Sequence, residues 1–255
     1  MDKISIMDVR INNVTMEEVL SAIEDKIKNK EKYIIYTPNT EIIMMCQKDE
    51  EFLKYMNQSD INIPDGIGLI YAAKIKKLPL KEKVAGYDLS VNMLKLADKK
   101  GLKLYAVGGK PGVAEAAMNK VHEEYPNINI VGYHHGYFKG AHLGKGGDDE
   151  ELRVIEEINA AEPDILFVGF GAKKQEQWIK YNKDKLNAKI LIGNGGTIDG
   201  LAGNVKRAPV IFIRLGLEWL YRLIKEPSRI NRQIVLPIFM IKVIFGGKEV
   251  VKLIE

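Results

Sequence analysis

Short apolar runs rich in β-branched residues alternate with longer segments of helical periodicity over the first 193 residues of this 255-residue chain. The run at 165–168 is apolar at every position, which is typical of a strand in a parallel sheet whose two faces are both covered by helices. This alternation predicts an α/β protein with a Rossmann-like, mostly parallel sheet. We predict strands at 33–37, 61–64, 103–107, 128–133, 164–169 and 189–193. We predict helices at 15–30, 40–57, 67–76, 87–100, 112–125, 150–161 and 174–186.

The last fifty residues differ from the rest of the chain in charge and in pattern. They contain ten Lys and Arg against four Asp and Glu, a net charge of +6, so the remainder of the chain sums to −2. The longest apolar runs, 210–213 and 234–245, lie here as well. Basic residues interleaved with apolar and aromatic ones are typical of segments that bind anionic lipid surfaces. We therefore predict a catalytic core at 1–195 and a C-terminal appendage of basic amphipathic helices at 196–255 that docks on a membrane.

Composition limits the class of protein. With 46% hydrophobic and 28% charged residues the chain is not expected to be disordered. A single cysteine, Cys46, forms no internal disulfide and fits a reducing cytosol. The N-terminus lacks the apolar segment of a signal peptide, and no stretch reaches the roughly 18–20 apolar residues of a membrane-spanning helix. We expect a cytoplasmic protein that is peripherally associated with the inner face of the cell membrane.

Small and polar turns follow the predicted strands, where open α/β sheets bind their ligands. Gly108 and Gly109 precede a helix, and their backbone N–H groups could approach a phosphate or nucleotide. An ordinary tight turn between strand and helix explains the same two glycines equally well. The segment matches neither the full dinucleotide-binding pattern nor the P-loop pattern.

Asp65 stands out among these turns, because Pro64 and Gly66 flank it directly after a predicted strand. A carboxylate in this place can accept a proton from a hydroxyl nucleophile. Aspartate also caps helix N-termini well, and a helix is predicted to begin at Ile67. The sequence by itself leaves these two interpretations open.

Several common catalytic patterns are missing from the sequence. It contains no Asp-x-Asp pair, the motif that holds a divalent ion in many nucleotide-sugar transferases, and no Gly-x-Ser-x-Gly elbow of a serine hydrolase. His134, His135 and His142 lie close together, but no cysteine or suitably spaced carboxylate completes a metal site, so we interpret them as part of a solvated loop. We expect neither a metal nor a cofactor.

Motifs over nearly the whole chain resemble those of one enzyme family. They lie at 37–39, 64–68, 84–89, 136–138, 169–176, 195–203, 206–209, 214–223 and 226–227. In this order they resemble the bacterial WecG/TagA/CpsF family, which is glycosyltransferase family 26.

The resemblance implies an inverting, metal-independent transfer of N-acetylmannosamine from UDP-ManNAc to the 4-hydroxyl of GlcNAc-diphospho-undecaprenol, with a β-1,4 linkage, in wall teichoic acid synthesis. It makes Asp65 the general base and places Thr37 and Asn39 around the sugar. Gln175 falls on a polar position of its own motif. We take Thr37 and Asp65 as catalytic candidates, and as substrate-binding candidates Asn39, Lys83, Gly108, Gly109, Gln175, Gly195, Gly196 and Thr197.

Without a metal ion, the departing diphosphate needs cationic side chains, and guanidinium groups pair with phosphate bidentately. At 100° per residue Arg214, Arg222 and Lys225 share one side of a helix, opposite an apolar stripe. With the resemblance in view we choose Arg214 and Arg222 as catalytic candidates. The alternative is a pair of terminal helices packed on the sheet, whose charges are merely solvated.

Three positions differ from the family pattern. Lys83 stands where arginine is common, Lys173 where proline is usual and Asn194 where an apolar residue is usual. The ammonium group of lysine is a point charge, whereas the guanidinium group of arginine can donate two parallel hydrogen bonds to one anion. We therefore expect weaker recognition of an anion at position 83. Lysine in place of proline loosens the turn beside Gln175.

Other functions are also compatible with parts of the sequence. The donor sugar could be ManNAc uronic acid or another UDP-hexose. The Rossmann-like alternation and Gly108-Gly109 alone would also suit a nucleotide-cofactor oxidoreductase, and the basic tail a nucleic-acid-binding arm, although the tail is unusually apolar for that role. The expected partners are the UDP-sugar, the undecaprenyl-linked acceptor and an anionic membrane, with no nucleic acid. The family precedent adds a homo-oligomer that buries the apolar tail.

Overall fold

A computed structural model describes residues 2–205, 208–227 and 230–254, with every side chain in these ranges except those at 210, 214, 231 and 232. The strands are β1 (Lys3–Ile6), β2 (Val9–Asn12), β3 (Tyr33–Tyr36), β4 (Ile61–Asn62), β5 (Lys103–Gly108), β6 (Asn129–His134), β7 (Ile165–Gly169), β8 (Ile190–Gly193) and β9 (Val251–Ile254). The helices are α1 (Met16–Asn29), α2 (Thr40–Cys46), α3 (Glu50–Asn57), α4 (Ile67–Ile75), α5 (Gly86–Lys100), α6 (Val113–Glu124), α7 (Asp149–Ala161), α8 (Lys174–Asn182), α9 (Gly195–Leu201), α10 (Val210–Arg214), α11 (Glu218–Lys225), α12 (Ile230–Gln233) and α13 (Val235–Phe245).

The six predicted strands form a single parallel sheet in the order β4-β3-β8-β7-β5-β6. The predicted fold class is therefore confirmed. Because the strands are parallel, their carboxyl ends lie along one edge, and every turn that the sequence analysis selected for chemistry is at that edge.

Helices cover both faces of this sheet, which explains the apolar strand sequences. Side chains alternate along β3, so that Tyr33 and Ile35 join the core on one face and Ile34 and Tyr36 join the core on the other. The first core is completed by α1, α5, α6 and α9. The second is completed by α2, α3, α4, α7, α8 and α13.

Local capping sets the helix boundaries. Thr15 and Glu18 form the predicted capping box at the start of α1, with Glu18 N–H to Thr15 Oγ1 at 3.2 Å and Thr15 N–H to Glu18 Oε2 at 2.8 Å. The predicted helix at 40–57 is wrong in one respect, since it is two helices. Asp49 starts α3 by accepting a hydrogen bond from the Phe52 N–H at 2.9 Å, because an extended aspartate there caps a new helix.

A small antiparallel sheet, which the sequence analysis did not predict, joins the two ends of the chain. β1 and β2 form a hairpin through Met7 and Asp8, which both have positive φ as a two-residue hairpin turn requires. β9 pairs with the other edge of β1, with Ile6 opposite Val251. The C-terminal strand is thus paired with the strand near the start of the chain.

The residues after 195 pack in separate places. α9 packs against α6 and β7, and α13 packs against α2 and α4. Between them, α10 and α11 contact each other, and α12 leads into α13. The division into a core at 1–195 and an appendage at 196–255 stays a prediction. Within the described ranges, none of these helices is long and apolar enough to cross a membrane.

We expect the docking of β9 to stabilise the fold measurably. Val251 is 2% exposed, whereas Leu253 on the same strand is 66% exposed. Val251→Ala should lower the free energy of unfolding by about 1–2 kcal/mol, because two methyl groups leave the core. Leu253→Ala should change it by less than about 0.5 kcal/mol. Urea denaturation of both variants measures the difference, and equal losses would mean that β9 is not docked on β1 in solution.

Candidate active site

The candidate residues gather at the carboxyl edge of the parallel sheet in two groups. One group follows β3 and β4 and contains Thr37, Asn39 and Asp65. The other follows β5, β7 and β8 and contains the glycine turns and Gln175. The N-terminal turn of α5 lies between the two groups, as described below.

A short turn fixes Asp65 beside the end of β3. Its N–H donates to the carbonyl oxygens of Ile63 at 2.9 Å and Pro38 at 3.2 Å. The residue that caps α4 is Gly66, with no side-chain hydrogen bond to the helix. The interpretation of Asp65 as the cap of α4 is therefore wrong, because a glycine with φ +98° takes that position.

Charged groups around Asp65 control its protonation. The pKa of Asp65 is raised to about 7, mainly by burial and also by the nearby carboxylate of Glu218. Lys83, Arg222 and the backbone N–H of Gly86 act in the opposite direction. A carboxylate with a pKa near neutrality suits a general base, because both of its protonation states are populated near pH 7.

Thr37 and Asn39 form the wall next to Asp65. Thr37 is buried and packs against the start of α5, since a Cβ on Gly86 would lie 3.0 Å from Thr37 Cγ2. Asn39 caps α2 by accepting a hydrogen bond from the Ile42 N–H at 3.1 Å. Asn39 therefore supports the local fold, and contact with a sugar stays a prediction for both residues.

α10 and α11 are two helices separated at Gly216, so the prediction that Arg214, Arg222 and Lys225 share one side of a single helix is wrong. α11 reaches this group of residues. Gly216, with φ +70°, lies against Ile67 at the start of α4, where an added Cβ would be 2.9 Å from Ile67 Cγ1. This contact places α11 next to Asp65. Arg222 is one of the cations acting on Asp65, and its Nη2 lies 2.5 Å from Glu218 Oε1 on the same helix. Arg214 ends α10, and its side chain lies outside the described residues.

The glycines that follow β5 allow close backbone contacts. A Cβ on Gly108 would collide with the backbone of Gly169. The Gly109 N–H donates to the Gly169 carbonyl at 3.0 Å, and the Gly109 carbonyl accepts from the Gly136 N–H at 2.9 Å. Gly108 and Gly109 therefore form the tight turn that the sequence analysis considered. Phosphate binding there stays a prediction.

A buried polar cluster of Gln175, Glu176 and Asn194 lies at the ends of β7 and β8. Gln175 Nε2 donates to Glu176 Oε1 at 2.8 Å, and the carboxamide of Gln175 fits between Gly193 and Gly195, where an added Cβ would lie 2.9 Å from it on either side. Burial raises the pKa of Glu176 to about 7. One polar atom in each member of the cluster has no hydrogen-bond partner in the structure: Gln175 Oε1, Glu176 Oε2 and Asn194 Nδ2. Buried unsatisfied atoms cost stability, so they mark groups that a ligand can satisfy.

A hydrogen-bond chain links this cluster to Asp65. Ser90 Oγ lies 2.9 Å from Asn194 Oδ1 and 2.7 Å from the Gly86 carbonyl, and the Gly86 N–H acts on the Asp65 carboxylate. Thr197 is buried just beyond, and Gly195 and Gly196 begin α9. The two groups of candidates therefore belong to one site.

The histidine segment differs from its prediction. The prediction of a solvated loop is wrong for His142. This side chain is 4% exposed and stacks on Phe170, with ring centroids 4.5 Å apart. The surrounding loop folds around the buried carboxylate of Glu151, which accepts hydrogen bonds from the Ala141 and Gly147 N–H groups, both at 2.7 Å. Among the described side chains, no three His, Cys, Asp or Glu groups lie close enough to hold a metal ion.

Sequence reasoning did not select Glu176, Ser90 or Glu218 as functional. Glu218 carried a signal, since it stands four residues before Arg222 on a predicted helix, the spacing of a helical ion pair. Glu176 carried a signal as the last residue of the motif at 169–176. Ser90 carried none, because its burial and its contact with Asn194 appear only in the folded chain.

The chain is similar to known proteins over nearly its whole length. The model of the glycosyl transferase WecG/TagA/CpsF family matches residues 4–249. The N-acetylglucosaminyldiphosphoundecaprenol N-acetyl-beta-D-mannosaminyltransferase of Staphylococcus aureus strain MRSA252 is 33% identical over 98% of this chain and 95% of its own length. The proteins of the same name from strains MW2 and NCTC 8325 are each 32% identical over the same shares.

These matches span the core and the helices that follow it, so the resemblance in the motifs extends over nearly the whole chain. The chain belongs to the glycosyl transferase WecG/TagA/CpsF family, and it is a glycosyltransferase.

Proposed function

We propose that this enzyme transfers N-acetylmannosamine from UDP-ManNAc to the 4-hydroxyl of GlcNAc-diphospho-undecaprenol, with inversion and without a metal ion, in the synthesis of wall teichoic acid. The names of its relatives support the acceptor and the transferred sugar. The observation that carries the proposal is the position of Asp65, with a pKa of about 7, beside the cations Lys83 and Arg222.

Asp65 removes the proton from the acceptor hydroxyl as the hydroxyl oxygen attacks the anomeric carbon of the donor sugar. The bond between that carbon and the phosphate oxygen breaks, and its electron pair leaves with UDP. Attack and departure on opposite faces of the sugar invert the anomeric centre. The product is a β-linked disaccharide on the lipid diphosphate.

Negative charge grows on the UDP diphosphate as this bond breaks. Lys83 and Arg222 lie close enough to Asp65 to act on its charge, so a diphosphate bound next to Asp65 would be within their field. Preorganised cations at such a place lower the barrier for departure. We assign the same role to Arg214, which ends the neighbouring helix.

Asp65→Asn should abolish most of the turnover while leaving the nucleotide site intact. Removal of a general base costs roughly 10²- to 10⁴-fold in rate. UDP release in the presence of UDP-ManNAc and a GlcNAc-diphospho-lipid measures the loss, and calorimetric titration with UDP measures binding. Asp149→Asn, at an exposed position at the start of α7, is the matched control and should keep full activity. Wild-type turnover in Asp65→Asn would exclude Asp65 as the base.

The pH dependence of the wild-type enzyme should report the same carboxyl group. A general base works in its ionised form, and the pKa of Asp65 is raised to about 7. We therefore expect kcat/KM to be maximal above that pH and to fall as the pH drops through about 7. Initial rates between about pH 5 and pH 9 test this expectation. A profile that stays flat down to about pH 5 would mean that the base has an ordinary carboxylate pKa.

The alternative to UDP-ManNAc is another UDP-sugar as the donor, and the residues at two positions support it. Lys83 and Asn194 differ from the family pattern, and the Asn194 amide has an unpartnered nitrogen beside Gln175. A polar group added to a sugar pocket changes which substituents it accepts. Rates with UDP-ManNAc, its uronic acid and other UDP-hexoses, measured side by side, decide between the donors.

We also propose that the enzyme docks on an anionic membrane through one surface. α13 packs against α4, and together they expose an apolar patch that consists of Tyr71, Ile75, Ile234, Ile238, Ile241, Ile244 and Phe245. Lys74 and Lys242 are exposed on the same two helices. Apolar side chains flanked by lysines suit the boundary between headgroups and acyl chains. A homo-oligomer that buries this patch stays a prediction.

Combined replacement of Ile238, Ile241 and Phe245 by serine should weaken binding to phosphatidylglycerol vesicles by more than about tenfold, because each side chain contributes about 1 kcal/mol or more when it is buried. Vesicle co-sedimentation measures the change. Leu152→Ser, at an exposed leucine of α7, serves as the control and should bind like the wild type. Equal binding of the triple variant would assign membrane contact to another surface.

A further inference from the structure

α11 brings a carboxylate as well as a guanidinium to the site. Glu218 begins this helix and Arg222 lies one turn later, with Glu218 Oε1 2.5 Å from Arg222 Nη2. About two thirds of each side chain is buried, so the pair is shielded from water more than an ordinary surface ion pair. The contact of Gly216 with Ile67 holds the start of α11 next to the turn that carries Asp65.

Charges of both signs face Asp65 from the elements around it. Lys83, in the segment before α5, and Arg222, on α11, are the cations, and Glu218, on α11, is the other anion. The backbone N–H of Gly86 completes this set among the described residues. The guanidinium of Arg222 is thus paired with a carboxylate of its own helix.

A bound diphosphate changes this balance. It brings additional negative charge to a place where a guanidinium has a carboxylate partner. A phosphate oxygen competes with that carboxylate because it accepts hydrogen bonds from the same guanidinium. Glu218 and the diphosphate would also repel each other if both remained on Arg222.

We propose that Glu218 is a positioning residue that pairs with Arg222 next to Asp65 and releases it when a diphosphate binds. The inference rests on the proposed function, since it takes a diphosphate as the ligand of Arg222. The diphosphate can be that of the nucleotide donor or that of the lipid acceptor, because both carry the same group.

The release of Arg222 from Glu218 changes the proton affinity of Asp65. Once Arg222 turns to the diphosphate, the charge of Glu218 is no longer neutralised and still lies near Asp65, where it favours the protonated form. Asp65 then has a higher affinity for the acceptor's proton in the loaded site. In this way diphosphate binding and proton removal are linked through one carboxylate on α11.

Substitution of Glu218 tests the inference through binding. Glu218→Gln leaves Arg222 without its competing partner, so the affinity for diphosphate should rise roughly two- to fivefold, the value of a partly exposed ion pair. Arg222→Gln should lower it. Calorimetric titration at low ionic strength with UDP, and separately with farnesyl diphosphate, shows whether the nucleotide or the lipid diphosphate is the ligand. Glu249→Gln, which removes the same charge at the end of the chain, should bind like the wild type.

The pH profile supplies a readout that a purely structural role would not move. Loss of the Glu218 charge lowers the pKa of Asp65, so the acid limb of kcat should move to lower pH in Glu218→Gln. Loss of the Arg222 charge should move it to higher pH. Melting temperatures show whether the variants fold. If Glu218→Gln does not fold, Glu218→Ala replaces it, and we expect the same directions of change in diphosphate affinity and in the acid limb of kcat.

The outcomes separate the two proposals. If the wild type binds UDP and turns over, but Glu218→Gln shows unchanged affinity for both diphosphates and an unchanged acid limb, Glu218 only stabilises α11 and the inference is wrong. If the wild type neither binds UDP nor releases it from UDP-ManNAc, the proposed function fails, and the inference fails with it.

Discussion

The parallel pairing of β3 with β8, and of β8 with β7, determines where chemistry can occur in this enzyme. It places the turns after residues 36, 169 and 193 side by side, although they are far apart in the sequence. Asn194 then reaches Ser90, and Ser90 reaches Gly86 beside Asp65. Because the backbone hydrogen bonds of the sheet fix these positions, polar groups that cost stability when buried are held at this edge.

Burial and charge together give the site its protonation state. The apolar cores on the two faces of the sheet exclude water from its edge, and this desolvation is the largest cause of the raised pKa of both Asp65 and Glu176. α11 adds a positive and a negative charge that are both partly buried, so they act more strongly than in bulk water. α11, which supplies these charges, lies between elements that are packed elsewhere on the protein. Before it along the chain, α9 packs against α6 and β7. After it, α13 packs against α2 and α4, and β9 pairs with β1.

Much of the fold could be predicted because it depends on local patterns. The six central strands were recognisable from their continuous apolar runs, and the start of α1 from Thr15 and Glu18. The break between α2 and α3 was missed because the cap at Asp49 competes with a helical pattern that continues through it. The small sheet was missed because β9 is defined by pairing with β1, a partner at the other end of the chain. His142 was misassigned because its burial comes from Phe138 and Phe170, which belong to different segments.

By itself the sequence determined the parallel α/β architecture, the family and Asp65 as a candidate base, since each depends on the order and spacing of residues along the chain. Only the tertiary structure removed the interpretation of Asp65 as the cap of α4, because that interpretation depends on which neighbour takes the cap position. Tertiary structure also brought Glu218, Arg222 and Lys83 to one carboxylate and buried the Gln175 cluster. Charge and burial act through space, so their effects follow from distances that the order of residues does not contain.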